Sequence, residues 1–194
     1  QNPIEQDGTY PLPEAQMDRF MFKLVVNNPS LEELKGIVTM TQHTMGEVAN
    51  VACNAEQLLA MRETANQIPV ADEVLNFAMT LISATHPDSE CASEAAKKYV
   101  RLGSSPRGGQ ALISAAKVKA LMNGRFNVSY SDVASLAFPV LRHRMKMNFE
   151  AIAERVSPDA VIAMILDEVA KKCKVNLDLK KPDNADNGAK KKNK

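Results

Sequence analysis

Residues 103–124 read GSSPRGGQALISAAKVKALMNG, and this stretch predicts a helix with a defined start and end. Ser105 and Pro106 have the pattern of a helix cap followed by a first-turn proline, and Gly124 is typical of the residue just after a helix. The apolar residues of the predicted packing face are small, so a neighbouring helix can come close: Leu112, Ala115, Ala116 and Ala120. The stretch therefore indicates a closely packed helical domain.

Helix signals continue on both sides of this stretch. Ser30 with Glu33 and Asn54 with Gln57 have the spacing of capping boxes, and Ser157 precedes a first-turn proline. Further helices are predicted over about 71–84, over 93–101 and from Ser129 onward. Two of them have apolar residues at i, i+3, i+4, i+7 and i+8, namely Val74, Phe77, Ala78, Leu81 and Ile82, and Val133, Leu136, Ala137, Val140 and Leu141.

The run FMFKLVV at residues 20–26 differs from the rest, because it is almost unbroken in apolar character. Such a run is typical of a strand buried on both faces of a parallel sheet. No other convincing strand follows it, and a buried strand without partners cannot satisfy its backbone N–H and C=O groups. We therefore predict one strand whose sheet lies upstream of Gln1.

The charge is unevenly distributed along the chain. The formal net charge is +1, but residues 171–194 contain nine Lys and three Asp, so the preceding 170 residues have a net charge of −5. A nucleic-acid-binding protein is expected to have basic charge on its folded face, so this function class is disfavoured. Residues 176–194 are polar and without periodicity, which predicts a disordered basic tail.

The cysteines and the hydropathy pattern bear on location. Cys53, Cys91 and Cys173 have no C-x-x-C spacing, and an odd number of cysteines without a secretory signal indicates reduced thiols in the cytoplasm. No apolar run approaches the ~20 residues that span a bilayer, so direct membrane insertion is not expected. His43, His86 and His143 have no ligand spacing, which argues against a metal site.

Three stretches carry a family resemblance: QNPIEQDGTYPLPEAQMDRF at residues 1–20, GSSPRGGQALISAAKVKALMNGRFNVSYSDV at 103–133, and PVLRHRM at 139–145. The chain resembles the MoxR-like ATPases of the AAA+ class over roughly residues 1–147. The resemblance implies a mainly α chain with three parts. These are the C-terminal end of an α/β ATPase core (1–28: loop, short helix and one strand), a helical-bundle lid domain (29–175) and the tail (176–194).

The resemblance also implies an activity for the intact protein. Members hydrolyse ATP with Mg²⁺ in rings, typically hexamers, and commonly act like chaperones beside proteins with von Willebrand factor A domains. The phosphate-binding loop G-x-x-x-x-G-K-[ST] does not occur in these residues, and it and the acidic Walker B strand are expected upstream of Gln1. The chain by itself is therefore expected to be inactive and to bind no nucleotide tightly.

Two candidate catalytic residues follow from the first matching stretch. Asn2 matches the sensor-one residue beside the γ-phosphate, although an Asn before Pro is by itself more typical of a turn. Arg19 matches the arginine finger that enters the ATP site of the neighbouring subunit, where a planar guanidinium stabilises charge on the transferred phosphoryl group. Chemistry alone would favour a surface Arg paired with Asp18 or Glu14.

The second stretch contains the candidate nucleotide-binding residues Ser105, Pro106 and Arg107. Arg107 matches the lid arginine called sensor two, which contacts the nucleotide of its own subunit. The residue pattern supports this independently, because the unpaired N–H groups of a helix start attract phosphate. Gly108 and Gly109 stand where the family usually has small residues such as Ala, and we expect them to leave space for close approach.

A second hypothesis stays open, namely a free-standing helical adaptor that binds a partner protein and has no ATPase activity. A ring subunit has to bury residues 20–26 in its own core domain. An adaptor has to hide them in its own helices or in a partner, so the surroundings of this run discriminate the two hypotheses.

Overall fold

The computed structural model describes residues 12–42 and 50–177, and most of both ranges is helical. The helices are α1 (Glu14–Met17), α2 (Leu31–Gln42), α3 (Ala55–Asn66), α4 (Asp72–Ala84), α5 (Glu94–Tyr99), α6 (Pro106–Met122), α7 (Tyr130–Leu141), α8 (Phe149–Ala153) and α9 (Pro158–Lys172). Two short strands, β1 (Val100–Leu102) and β2 (Lys146–Met147), complete the described elements. The predicted mainly α fold is confirmed. Asn2 and residues 178–194 lie outside the described ranges.

The hydrophobic core lies among α4, α6, α7 and α9. Helix α6 packs against α7 and α4, while α9 packs against α4, α5 and α7. The face predicted for α4 is buried, and Phe77 makes an edge-to-face contact with Tyr130 at a ring-centroid distance of 5.4 Å. Each large apolar side chain buried in this way contributes about 1.5–3 kcal/mol. The largest fully buried apolar side chains are Phe77, Leu81, Leu112, Leu141, Ile162, Ile165 and Leu166.

The predicted helix starts are present. Ser30 and Glu33 exchange both hydrogen bonds of a capping box, as do Asn54 and Gln57. The Ser157 side chain accepts a hydrogen bond from the Ala160 N–H. Each such cap stabilises a helix by about 0.5–2 kcal/mol.

Ser105 is the exception among the predicted caps. It occupies the N-cap position of α6, but its side chain makes no capping hydrogen bond.

A two-stranded antiparallel sheet, which sequence reasoning did not predict, pairs the residues before α6 with those after α7. Val100 of β1 lies opposite Met147 of β2, and Leu102 lies opposite Lys146. The Asn148 N–H donates to the Tyr99 carbonyl at 2.9 Å and extends this pairing. Strands of three and two residues are too short to give a recognisable alternation, which explains the omission.

The strand predicted at residues 20–26 is not formed. The run has no regular secondary structure, no residue of it pairs with another strand in the described ranges, and Val26 is 91% exposed. One backbone-to-backbone hydrogen bond connects it to the bundle, from the Lys23 N–H to the Pro139 carbonyl at 2.9 Å. A strand needs neighbouring strands for its backbone groups, and none lies next to this run in the part that the structure describes. The short helix expected before it is present as α1.

Cys53, Cys91 and Cys173 are free thiols. Among the helices of residues 12–42 and 50–177, none has the length and apolar character needed to cross a membrane.

Candidate functional site

The candidate site is a shallow cavity of about 250 Å³ at the start of α6. It brings together Arg19 and Arg107, the two arginines predicted to act on nucleotide. Residues from three places line it: Asp18, Arg19 and Met21 from the N-terminal segment, Arg107, Gln110, Ala111 and Ser114 from α6, and Arg144 from the turn after α7. Its guanidinium, amide and hydroxyl groups are donors of the kind that bind phosphate oxygens.

The start of α6 is held in place by the end of α4. The Thr85 hydroxyl accepts a hydrogen bond from the Ser104 N–H at 2.9 Å, and His86 Nε2 donates to the Ser104 carbonyl at 2.9 Å. A Cβ on Gly103 would lie 2.6 Å from His86 Cγ, so only glycine fits this close approach. The loop that precedes Arg107 is thereby fixed on the bundle.

The two glycines after Arg107 pack against protein, contrary to our expectation that they leave space for a ligand. Both are buried, and a Cβ on Gly108 would lie 2.0 Å from Ser104 Oγ. A Cβ on Gly109 would lie 3.1 Å from Met79 Cε. The missing side chains therefore allow the first turn of α6 to approach α4 and the preceding loop.

Asp18 is the central anion of the site. Its two carboxylate oxygens each accept from the Ser105 hydroxyl at 2.9 Å. Arg107 Nη1 lies 3.5 Å from Oδ2, and Arg144 Nε lies 3.4 Å from Oδ1. The Asp18 side chain is only 19% exposed. The Ser105 side chain is thus committed to Asp18, which explains why it does not cap α6.

Arg144 binds the N-terminal segment through its backbone. Its guanidinium donates to the carbonyls of Asp18 at 3.1 Å, Phe20 at 2.7 Å and Met21 at 3.1 Å, and also to Val140 within α7. The side chain is 2% exposed, and this burial lowers the pKa of the guanidinium against the opposing effect of Asp18. A planar group with five donors suits several carbonyls at once.

The two residues before Arg144 extend this contact. His143 Nε2 donates to the Phe20 carbonyl at 2.9 Å, and Arg142 donates to the Lys23 carbonyl at 3.1 Å. Burial lowers the pKa of His143, and the nearby positive charge of Arg144 adds to this effect. The sequence Arg142-His143-Arg144 therefore attaches residues 18–23 to the end of α7.

Comparisons with known proteins agree with this architecture. The family model described as the AAA lid domain matches residues 92–165. The model of an ATPase family associated with various cellular activities matches residues 1–22. Chaperone MoxR1 of Mycobacterium tuberculosis is 36% identical over 170 residues, which is 88% of this chain and 45% of that protein. The chain belongs to the MoxR-like AAA+ ATPases.

Other relatives of the MoxR-like chain support the same assignment. The uncharacterized protein YeaC of Bacillus subtilis is 34% identical over 173 residues, covering 87% of this chain and 50% of its own length. Protein MoxR of Paracoccus denitrificans is 27% identical over 180 residues, covering 84% of this chain and 53% of its own length. The chain thus spans about half the length of the curated relatives it matches.

A solved crystal structure confirms the fold of this MoxR-like chain. It is that of a proposed ATPase from Cytophaga hutchinsonii, which is 33% identical and superimposes with a TM-score of 0.77. The match covers 86% of this chain and 51% of the solved one. A helical lid preceded by a small part of the ATPase core is therefore the fold of this chain.

The predicted site residues of the MoxR-like chain differ in their surroundings. Arg107 begins α6 with its side chain 53% exposed, and Pro106 beside it is exposed. Arg19 is exposed, and within the described ranges its side chain has no ion pair, so the suggested pairing with Asp18 or Glu14 is not present. Asn2 is outside the described residues. Sequence reasoning missed Asp18 and Arg144 as site residues.

The donor set of the cavity fits one part of the expected cofactor. Two exposed arginines and the first turn of α6 suit an anionic phosphate group. Among residues 12–42 and 50–177, no three His, Cys, Asp or Glu side chains come together in a way that could hold a metal ion. The exposed donors of the cavity are therefore cationic or neutral groups, Arg19, Arg107, Gln110 and Ser114.

Proposed function

We propose that this chain supplies the lid and two arginines of the ATP sites in a MoxR-type ring. In this proposal residues 1–28 end the ATPase core, residues 29–175 form the lid, and 176–194 are a basic tail. The rest of the core, with the phosphate-binding loop and the Mg²⁺ ligands, completes the site. The observation that supports the proposal is the position of Arg107 and Arg19, both exposed on one cavity at the start of α6.

The two arginines have separate roles in the proposal. Arg107 contacts the nucleotide of its own subunit, with Ser105 and Pro106 forming the start of α6. Arg19 turns outward to the neighbouring subunit, where an arginine finger accelerates phosphoryl transfer by roughly 10³–10⁵. Its exposed side chain, without an ion pair in the described ranges, can leave the cavity without breaking a contact of that kind. Asn2 orients the attacking water beside the γ-phosphate.

The proposal extends to a cellular role. ATP hydrolysis changes the position of the lid relative to the core, and this motion remodels a client protein. The supporting observation is the attachment of residues 18–23 to α7 by Arg142, His143 and Arg144, because it joins the residue next to the proposed finger to the lid bundle. A von Willebrand factor A domain protein is the proposed partner.

An adaptor that buries residues 20–26 in its own helices is not supported. Phe20, Leu24 and Val26 are all exposed in this chain. A run with this exposure needs a covering surface, and the missing strands of an ATPase core would provide one.

Arg107→Ala in the full-length protein tests the first role. It should weaken nucleotide binding, measured as the Kd of a fluorescent non-hydrolysable ATP analogue, because a charge-assisted contact to phosphate is lost. Arg101→Ala is the matched control. Arg101 is also exposed and pairs only weakly with Glu14, at 3.8 Å, and it does not line the cavity.

Mixed rings test the second role. Subunits with Arg19→Ala are combined with subunits that have an intact Arg19 but a disabled phosphate-binding loop. ATP turnover should return, because each disabled subunit supplies its finger to an active neighbour. Turnover that stays absent in mixed rings would place Arg19 at the ATP site of its own subunit. Unchanged turnover in both single variants would disprove both assignments.

A further inference from the structure

The Asp18 carboxylate already engages the groups that a phosphate at this site would use. Ser105 donates its hydroxyl to both carboxylate oxygens, and the Arg107 guanidinium lies 3.5 Å from one of them. Carboxylate and phosphate oxygens are both anionic acceptors for arginine. Asp18 therefore acts as an internal substitute for the ligand expected at the start of α6.

Asp18 is held by more than its contact with Arg107. Its oxygen Oδ1 lies 3.4 Å from Arg144 Nε, and its backbone carbonyl accepts from Arg144 Nη2 at 3.1 Å. Since Arg144 is almost fully buried, these contacts fix Asp18 on the bundle. The contact to Arg107 is different, because that side chain is 53% exposed and 3.5 Å is longer than the 2.7–2.9 Å of a tight charge-assisted hydrogen bond. Arg107 can thus leave Asp18 while Asp18 stays in place.

We propose that Asp18 is a positioning residue that controls Arg107: it pairs with the guanidinium intramolecularly, and a nucleotide phosphate has to take Arg107 from it. The inference rests on the proposed function of Arg107. Asp18 lowers the affinity for nucleotide and takes Arg107 back when the nucleotide leaves, which favours release. Its neighbour in sequence is Arg19, so the same short segment controls one arginine and presents the other to an adjacent subunit.

The test is a double-mutant cycle in the full-length protein, with the Kd of a fluorescent non-hydrolysable ATP analogue as the readout. Asp18→Asn keeps the shape of the side chain and removes its charge, so it should tighten binding by about two- to fivefold, the range of an exposed ion pair. Arg107→Ala should weaken binding. The double variant should bind like Arg107→Ala alone, because Asp18 acts through Arg107.

Glu14→Gln is the matched control for Asp18→Asn. Glu14 is a carboxylate of the same segment, and it pairs with Arg101 at 3.8 Å and Lys146 at 3.4 Å but not with Arg107. It should leave the Kd unchanged. An equal tightening in Glu14→Gln would show a general charge effect and overturn the proposal. The thermal unfolding midpoint of each variant confirms that it is folded before its Kd is compared.

The outcomes separate the two proposals. If Arg107→Ala weakens binding but Asp18→Asn does not tighten it, the role of Asp18 is wrong and the nucleotide role of Arg107 stands. If Asp18→Asn tightens binding equally in the Arg107→Ala background, Asp18 acts by general repulsion and the inference is also overturned. If Arg107→Ala leaves the Kd unchanged, the proposed function of Arg107 fails, and the inference fails with it.

Discussion

The bundle of residues 68–177 and the N-terminal segment of residues 12–42 are held by different interactions. The bundle has a core of buried apolar side chains, whereas none of residues 12–40 is buried and Phe20, Leu24 and Val26 are exposed. Hydrogen bonds to its backbone from Arg142, His143 and Arg144 hold the segment in place. An apolar sequence therefore gives a core only where other elements supply complementary surface. Substitutions in the two regions test this difference, and the largest effect is expected in the core of the bundle.

Phe77→Ala should lower the free energy of unfolding of this chain by about 3–5 kcal/mol, because it leaves a cavity in the core of the bundle. Val26→Ala is the matched change in the segment, and it should cost less than about 0.5 kcal/mol, since the side chain is already in water. Urea denaturation followed by circular dichroism measures both changes. Similar losses in the two variants would show that residues 20–26 are part of the folded core.

Arg144→Met should release the segment without unfolding the bundle. The variant removes three hydrogen bonds to backbone carbonyls of residues 18–21, and hydrogen bonds to charged groups contribute about 1.5–3 kcal/mol each in favourable cases. Because those carbonyls are hydrated after release, we expect a net loss of about 1.5–3 kcal/mol in docking. Hydrogen exchange at the Lys23 amide, which bonds to Pro139, measures it.

Arg101→Met is the control for this change, because Arg101 is exposed and makes no bond to residues 18–23. It should leave the exchange of the Lys23 amide unchanged. If Arg144→Met lowers the free energy of global unfolding by as much as it lowers the free energy of local opening at the Lys23 amide, docking and folding are a single event.

Asp132→Asn should destabilise the bundle itself by about 1–2 kcal/mol, in the range of a lost helix cap. Asp132 accepts from Arg125 Nη1 at 2.7 Å and Nη2 at 2.6 Å, and from the Ser129 N–H at 2.9 Å. This polar contact lies within the bundle, so its loss should appear in global unfolding and leave the exchange at Lys23 unchanged.

Lowering the pH should remove the stabilisation that Asp132 provides relative to the Asp132→Asn variant. Burial raises the pKa of this carboxyl, but the hydrogen bonds from Arg125 and Ser129 outweigh burial, and the pKa is lowered overall. The stabilisation is therefore present above the ordinary aspartate value near 3.8 and is lost as pH falls through the folded-state value. The difference between Asp132→Asn and the unchanged chain should shrink in that range, and a constant difference would contradict this account.

The sequence predicted most of the features that depend on residues close together in the chain. The capping boxes at Ser30 and Asn54 depend on residues three positions apart, and the buried face of α4 depends on helical periodicity. Short-range chemistry specifies both. The place of Arg107 in the first turn of α6 was predicted for the same reason.

What the sequence did not predict depends on contacts between distant residues. Asp18 and Ser105 are 87 positions apart, and Arg144 and Phe20 are 124 positions apart. The pattern around Ser105 predicts a cap, and only the folded chain shows that Asp18 takes its hydroxyl. One signal was available for Arg144, because a basic run directly after an apolar helix and before the apolar Met145 indicates a cation that lies at the core. The run at residues 20–26 was predicted to pair with a sheet upstream of Gln1, and it forms no strand in the described ranges because periodicity alone does not supply the partner strands.

The smallest predicted effect concerns His143 and the docking of the segment. His143 is buried, its Nε2 donates to Phe20, and its Nδ1 has no hydrogen-bond partner in the described structure. Burial lowers its pKa from 6.5, and the charges of Arg144 and Lys23 add to this, while the Phe20 carbonyl and Asp18 oppose it. When the segment is released, the imidazole of His143 is exposed, so it takes up a proton at a higher pH than it does in the docked state. Docking should therefore be complete above about pH 6.5 and weaken as the pH falls from there toward the folded-state pKa.

Exchange of the Lys23 amide, corrected for the intrinsic effect of pH, should show this weakening. His143→Gln keeps a donor for the Phe20 carbonyl but does not titrate, so it should abolish the effect in this window. A pH dependence that persists in His143→Gln would assign the sensitivity to another group. This window begins near pH 6.5 and that of Asp132 begins near 3.8, so the segment should start to loosen first on acidification and the bundle only later.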